Sequence, residues 1–146
     1  QVRYELSAVQ GEYSLLNRQV EDEILPGSTH FDSGFIAWSP LGRGVLTGKY
    51  QTSVPPDSRA ASQHLQGFVA PYLSKEYEPI TQAVLAGAEG LEWEPLKLAL
   101  AWVKDAPGVT SALTGARSAG QCAAVLKAAD AHVPHQIRVA LDEVSA

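Results

Sequence analysis

Ile36-Ala37-Trp38-Ser39-Pro40-Leu41-Gly42-Arg43-Gly44-Val45-Leu46-Thr47-Gly48-Lys49-Tyr50 decides how this chain folds. A short apolar run ends in an aromatic residue. Ser-Pro follows, then three glycines, one arginine and one lysine. That order describes a buried strand opening into a loop. Glycine lets backbone come close to a ligand, and Arg and Lys neutralise phosphate. The loop therefore predicts a phosphate-bearing ligand.

Outward from this loop, strands and helices alternate. Ser7 to Gln10 reads as a short strand, and Arg18 to Leu25 as a polar helix stopped by Pro26-Gly27. Gly34 to Trp38 is a near-continuous apolar strand, of the kind covered on both faces. Gln51 to Ser62, with Pro55-Pro56, is a long polar loop suited to a lid or binding role. Glu76 to Gly87 reads as a helix ended by glycine. Glu94 to Lys104 is the clearest helix: Leu96, Ala99, Leu100 and Val103 share a face, and Pro95 suits the first turn. Pro107-Gly108 breaks it. Val109 to Thr114 is a strand, and Gly115-Ala116-Arg117-Ser118 a turn. Ser118 can cap a helix running to about Ala129. Pro134 to Val144 is a last amphipathic helix. The alternation predicts an α/β fold with a parallel sheet. Only three strand runs are visible, too few to cover both edges of such a sheet.

Composition narrows the function. The chain has 146 residues, 45% of them apolar, and a net charge of -5. That balance argues against general nucleic-acid binding, which favours basic surfaces. No apolar run approaches the roughly 20 residues of a membrane helix. The single cysteine, Cys122, excludes an internal disulfide and fits a reducing compartment, so a cytoplasmic location is expected. There is no methionine, and the chain opens at Gln1 inside a helix-like phrase, Tyr4-Glu5-Leu6. This predicts further chain upstream. Acidic residues avoid two stretches. Between Asp32 and Asp57 lie Arg43 and Lys49, and between Asp105 and Asp130 lie Arg117 and Lys127. Both follow predicted strands and could hold a small anion.

Common nucleotide motifs do not fit. Gly42 and Gly44 begin a dinucleotide pattern, but its third glycine falls on Thr47. Gly48-Lys49 has the end of a phosphate loop, but Tyr50 replaces the magnesium-holding Ser or Thr. A different family fits. Val9-Gln10-Gly11-Glu12-Tyr13-Ser14-Leu15-Leu16-Asn17-Arg18 and Trp38-Ser39-Pro40-Leu41-Gly42-Arg43-Gly44, with Gly48-Lys49-Tyr50, are followed by Ser58-Arg59. Then come Leu98-Ala99-Leu100-Ala101-Trp102-Val103 and Gly115-Ala116-Arg117-Ser118 with Gln121. In this order the phrases resemble the C-terminal part of the aldo/keto reductases. The nearest likeness is to bacterial-type members that share ancestry with potassium-channel beta subunits.

The resemblance implies the C-terminal portion of a (β/α)8 barrel, about strands six to eight, with residues 1-146 as a partial barrel lacking its N-terminal half. A whole barrel needs about 250 residues. It also implies NADP(H) as cofactor and reduction of a small aldehyde or ketone by hydride transfer. The family's proton-donating tyrosine and its lysine, aspartate and histidine helpers lie in the first half, so no catalytic residue is assigned here. Tyr13, Tyr50, Tyr72 and Tyr77 match none of those positions.

Each site residue has an ordinary reading beside the implied one. Gln10 is otherwise a rim glutamine; by resemblance its amide meets the nicotinamide carboxamide. Trp38 is otherwise a core aromatic; by resemblance it stacks on the nicotinamide. Ser39, Leu41, Gly42 and Arg43 would contact the pyrophosphate, with Pro40 holding the turn. Lys49 and Arg59, ordinarily solvated, would clasp the cofactor from the long loop. Gly115, Arg117 and Gln121 would hold the adenosine end. Arg117 would grip the 2′-phosphate bidentately, aided by Ser118 and the helix N-terminus. Where many members carry Glu-Asn reaching adenine, this chain has Ala124 and Val125, which cannot make those hydrogen bonds.

The remaining polar candidates are weak. His132 and His135 lack a third metal ligand at useful spacing. His30 and His64 fall in expected polar loops, and Cys122 is expected to pack within its helix. The expected function is an NADP(H)-dependent carbonyl reductase, seen through its cofactor-binding part. A nucleotide-binding regulatory or scaffold subunit on the same fold, or an inactive gene fragment, are the alternatives. The substrate and the oligomeric state are not legible.

Overall fold

Three parallel strands form one sheet, in the order β1-β2-β3: β1 is Ala8–Glu12, β2 Gly34–Trp38 and β3 Val109–Ala112. This computed structural model describes residues 6–146, so Tyr4 and Glu5 of the expected helix-like phrase lie outside the described residues. β1 and β2 pair without slippage, from Ala8 opposite Gly34 to Glu12 opposite Trp38. β2 and β3 pair with an irregularity between Phe35 and Ile36.

The sheet has two unlike faces. Phe35 and Ala37 are fully buried in the core, whereas Gly34, Ile36 and Trp38 are only half-buried. β2 is therefore covered on one face, not on both as its apolar run predicts. The less covered face also carries Ala8, Gln10 and Glu12, in register with Gly34, Ile36 and Trp38; Ala8 and Gln10 are exposed there, while the Glu12 side chain is covered by Arg43.

α4 (Pro95–Lys104) is the centre of the helical layer. Six consecutive residues, Leu98 to Val103, are buried, so it is wrapped nearly all round. It packs against α3 (Glu78–Gly90), α5 (Ala119–Ala129) and β3. Ala99, Leu100 and Val103 face the core as the spacing predicts, but Leu96 stays half-exposed, toward a cleft described below. α6 (His135–Val144) closes against α3.

Two helix boundaries depart from expectation. Pro26-Gly27 does not stop the helix beginning at Arg18. A 3-10 turn, Gln19–Glu21, gives way to α1 (Ile24–His30), which runs through both residues. Pro26 is the third helical residue, where the backbone N–H has no intrahelical partner to lose. α1 carries His30, which is exposed but helical and not in a loop. Likewise α3 starts at Glu78, after a 3-10 turn Lys75–Tyr77, and continues past Gly87. A Cβ at Gly87 would lie 3.2 Å from Leu98 Cδ2, so this glycine allows α3 and α4 to come close. β3 ends at Ala112, short of Thr114, although the Leu113 N–H still donates to the Ala37 carbonyl at 2.8 Å.

Candidate functional site

The loop after β2 is held in a backbone conformation that L-residues seldom adopt. Ser39 has φ 55°, Gly42 53°, Arg43 57°, Gly44 95° and Gly48 77°. Positive φ at Ser39 and Arg43 is uncommon for residues with a Cβ, and such backbone clusters where function requires it. Tight turns lock the path: the Gly42 N–H donates to Ser39 O and the Gly44 N–H to Leu41 O, both at 2.9 Å. Thr47 Oγ1 then donates to Gly44 O at 2.8 Å. Side chains are excluded at the glycines. A Cβ on Gly42 would lie 2.5 Å from Leu16 Cδ1, and one on Gly44 2.9 Å from Lys49 Nζ.

Beside this loop lies a cleft of about 320 Å3. Ser39, Pro40, Leu41 and Arg43 form one wall, and Lys49 and Arg59 project from the segment beyond. Gly115, Arg117 and Gln121 contribute from the turn after β3. Segments far apart in sequence thus meet here. Among the described residues, the two acid-free stretches supply three of its four cations, and no carboxylate lines it. Among the described residues, Lys49, Arg59 and Arg117 have no ion-pair partner. An uncompensated cation cluster attracts an anion and strengthens inside a concave, low-dielectric wall. Leu96, Leu113 and Val125 give the cleft an apolar side.

Arg43 differs from the other cations. Its Nε and Nη2 bind Glu12 Oε1 and Oε2 at 2.8 and 2.6 Å, a bidentate pair. Nη1 donates to the Phe68 carbonyl. The guanidinium lies 3.8 Å from the Phe68 ring centre and 4.6 Å from that of Tyr72. The hydrogen-bonded Glu12 carboxylate pushes the guanidinium pKa above its usual value. Burial first, with the Asn17 hydrogen bond opposing it, leaves the Tyr72 phenol raised. Glu12 sits in the family-like phrase at β1, but nothing in the spacing links it to a residue 31 positions on.

The turn before α5 is a capped helix start. Ser118 is the N-cap, and its Oγ accepts from the Gln121 N–H at 3.2 Å. Gln121 Oε1 accepts in return from the Arg117 N–H at 2.8 Å. These bonds fix the turn that presents Arg117. Arg117 Nη2 also donates to the Asp57 carbonyl at 2.8 Å, which ties the long loop to this turn. Gly115 is exposed, with open space where a Cβ would stand. Thr47, Leu96, Leu113 and Thr114 also line the cleft and carried no sequence signal beyond core patterning.

Gln10 and Trp38 stand apart from the cleft lining. Both lie on the less covered sheet face, Gln10 opposite Ile36 and Trp38 opposite Glu12. Gly42 also falls outside the cleft lining and is buried against Leu16.

Other polar residues resolve into local roles. His132 Nδ1 lies 3.2 Å from Asp105 Oδ1 and is mostly exposed. Among the described residues, no group of three or more His, Cys, Asp or Glu could hold a metal ion. Cys122 is exposed and does not pack as its helical position predicts, because its face of α5 points away from the core. No helix of the described residues is long and apolar enough to cross a membrane. A second hollow, of about 620 Å3, contains a polar network. There Arg18 binds Glu21 Oε2 at 2.8 Å, and the Tyr13 hydroxyl donates to Glu21 Oε1 at 2.6 Å. Trp102 Nε1 donates to Asp142 Oδ1 at 2.8 Å, and the guanidinium carbons of Arg18 and Arg138 lie 5.5 and 5.4 Å from its ring centre.

Comparison with known proteins identifies the lineage. The Aldo/keto reductase family model matches residues 2–145. A probable voltage-gated potassium channel subunit beta from Arabidopsis thaliana is 34% identical over 92% of this chain and 42% of its own length. A protein of the same description from rice, Oryza sativa subsp. japonica, is 36% identical over 83% of this chain and 38% of its own length. The chain therefore spans about two fifths of these relatives. The structure of a glycerol dehydrogenase from Gluconobacter oxydans superposes with a TM-score of 0.76 at 26% identity, covering 97% of this chain and 42% of that one. With a family match spanning residues 2–145 and a fold that superposes on the dehydrogenase structure, the chain belongs to the aldo/keto reductase family.

Proposed function

We propose that this chain is the cofactor-binding, C-terminal portion of an aldo/keto reductase barrel, and that the whole protein uses NADP(H) to reduce a small aldehyde or ketone in the cytoplasm. One observation carries the reading. Lys49, Arg59 and Arg117, each without a paired carboxylate among the described residues, line a single cleft beside a loop whose backbone can approach closely. A dinucleotide needs such charge for its phosphates, and the apolar side of Leu96, Leu113 and Val125 suits a flat base. The nicotinamide would supply the hydride. In this reading Trp38 and Gln10, on the half-covered sheet face next to the loop, would meet that ring; their shared face supports it. Arg117 is the proposed 2′-phosphate ligand, held ready by the Ser118–Gln121 cap.

The test is a fluorescence titration of the full-length protein with NADPH and NADH. Arg117→Ala should weaken NADPH by roughly 1.5–3 kcal/mol, the scale of a charge-assisted hydrogen bond, and leave NADH nearly unchanged. Equal losses for both cofactors would remove Arg117 from the 2′-phosphate site. No binding of either would end the reading.

A second reading rests on the likeness to channel beta subunits in two plants. The same cleft would then make the chain a nucleotide-responsive regulatory subunit. Co-purification with a potassium channel's cytoplasmic region, with no turnover of any carbonyl, would favour it.

A further inference from the structure

Arg43 lines the cleft, yet its charge is already matched. Its side chain is 14% exposed and that of Glu12 10%. Three parts of the chain meet at the guanidinium: Glu12 at the end of β1, the strained loop that carries Arg43, and an arm formed by α2 (Gln66–Val69) with the 3-10 turn Ala70–Leu73. From the arm come the Phe68 carbonyl, the Phe68 ring and the Tyr72 ring. Asn17 Nδ2 donates to the Tyr72 hydroxyl at 3.2 Å, fixing that ring from the β1 side as well. The arm also packs on the 3-10 turn Arg59–Ala61, which brings Arg59 to the cleft. A guanidinium with two nitrogens on one carboxylate, a third on a carbonyl and two aromatic rings close to it has little left for a phosphate.

We infer that Glu12 and Arg43 form a clasp that fastens the 59–73 arm to the loop after β2, so that Arg43 is a positioning residue, with Glu12 its essential partner, and not a phosphate ligand. The clasp holds Arg59 against the cleft and slows escape of a bound dinucleotide. The kinetic part of this inference rests on the cofactor reading above.

The two roles for Arg43 predict opposite effects of Glu12→Gln. As a phosphate ligand, Arg43 is restrained by Glu12, and removing that carboxylate's charge should tighten NADPH. As a clasp, it needs Glu12, and the substitution should speed release. In stopped-flow measurements on the full-length protein, Glu12→Gln is expected to raise the NADPH release rate about tenfold, the effect of losing one charge-assisted hydrogen bond. Association should change less than about threefold. Arg43→Gln should behave alike, and the double variant should be no worse than Arg43→Gln alone, because paired residues act as a unit. Tighter binding by Glu12→Gln, or additive effects in the double variant, would overturn the clasp. Hydrogen exchange without cofactor keeps the two readings separable. Glu12→Gln should speed exchange of the 59–73 amides about tenfold and leave α4 unchanged. If wild type binds no dinucleotide, the cofactor reading fails while this exchange result still decides the clasp. Unchanged exchange in 59–73 would overturn it.

Discussion

Gly44 and Gly115 both fall in family-like phrases, yet the structure gives them different weight. At Gly44 a side chain would meet Lys49 Nζ and would have to adopt φ 95°. Left-handed backbone costs an L-residue roughly 1–2 kcal/mol. Gly44→Ala should therefore lower stability by about that amount in urea titration and also weaken NADPH by displacing Lys49. Gly115→Ala meets open space and should change stability by less than about 0.5 kcal/mol. A harmless Gly44→Ala would mean that the loop relaxes freely. The residue types around the cleft were readable because glycines and cations at short spacing leave a local pattern. Glu12 was not, because an ion pair spanning 31 positions leaves no periodic trace. The same holds for Arg18, which donates to the Asp142 carbonyl 124 positions away.

At the scale of elements, the Arg18 network joins the segment after β1 to α4 and α6. Arg18 reaches Glu21, the Asp142 carbonyl and Ser145 Oγ, while Trp102 of α4 donates to Asp142. Burial alone would raise the Glu21 carboxyl, but hydrogen bonds from Arg18 and Tyr13, with the Arg18 charge, hold it below its usual range. Burial and the Glu21 contact push the Tyr13 phenol up. At Asp105, burial is likewise outweighed by Lys104 and the Val133 N–H, so that carboxyl is also lowered. A carboxyl with a folded pKa below its unfolded one stabilises fully above the unfolded value, near 4. That stability is lost as pH falls through the lower folded value. The urea midpoint should therefore drop between about pH 5 and pH 2, and Glu21→Gln should flatten the drop while lowering stability at neutral pH. An unchanged pH slope would take Glu21 out of the network. Elements with local signals were legible: β2 spans Gly34–Trp38 as read, and Ser118 caps α5, which ends at Ala129. The misread boundaries, at Pro26 and Gly87, are breakers whose cost vanishes in context. One falls in the first helical turn, and the other lies where two helices need a small residue to touch.

For the whole molecule, the decisive fact is a sheet with one covered face and two edges unpaired among the described residues. β1 and β3 each pair on one side only, because β2 lies between them. Beside β1 is a hollow of about 750 Å3, flanked by Leu6 at 70% and Phe31 at 77% exposure. Parallel strands are stable when buried on both sides, and unpaired edges with apolar surroundings template association. Residues 1–146 expressed alone should therefore self-associate as concentration rises, and should show a broad thermal transition. They should not reduce aldehydes or ketones with NADPH, because the proposed reading gives this cleft to the cofactor and leaves the proton-donating tyrosine and its helpers to the other part of the barrel. Sedimentation velocity from micromolar concentration upward, followed by NADPH oxidation assays with several carbonyls, checks both statements. Replacing Phe31 by Asp should reduce the association, since it charges the most exposed apolar side chain at the β1 edge. A monomer at all concentrations with a sharp cooperative transition would mean that the open sheet face is tolerated in water. Clear turnover by that monomer would place a complete catalytic centre within these 146 residues and refute the proposed division between cofactor-binding and catalytic parts of a barrel.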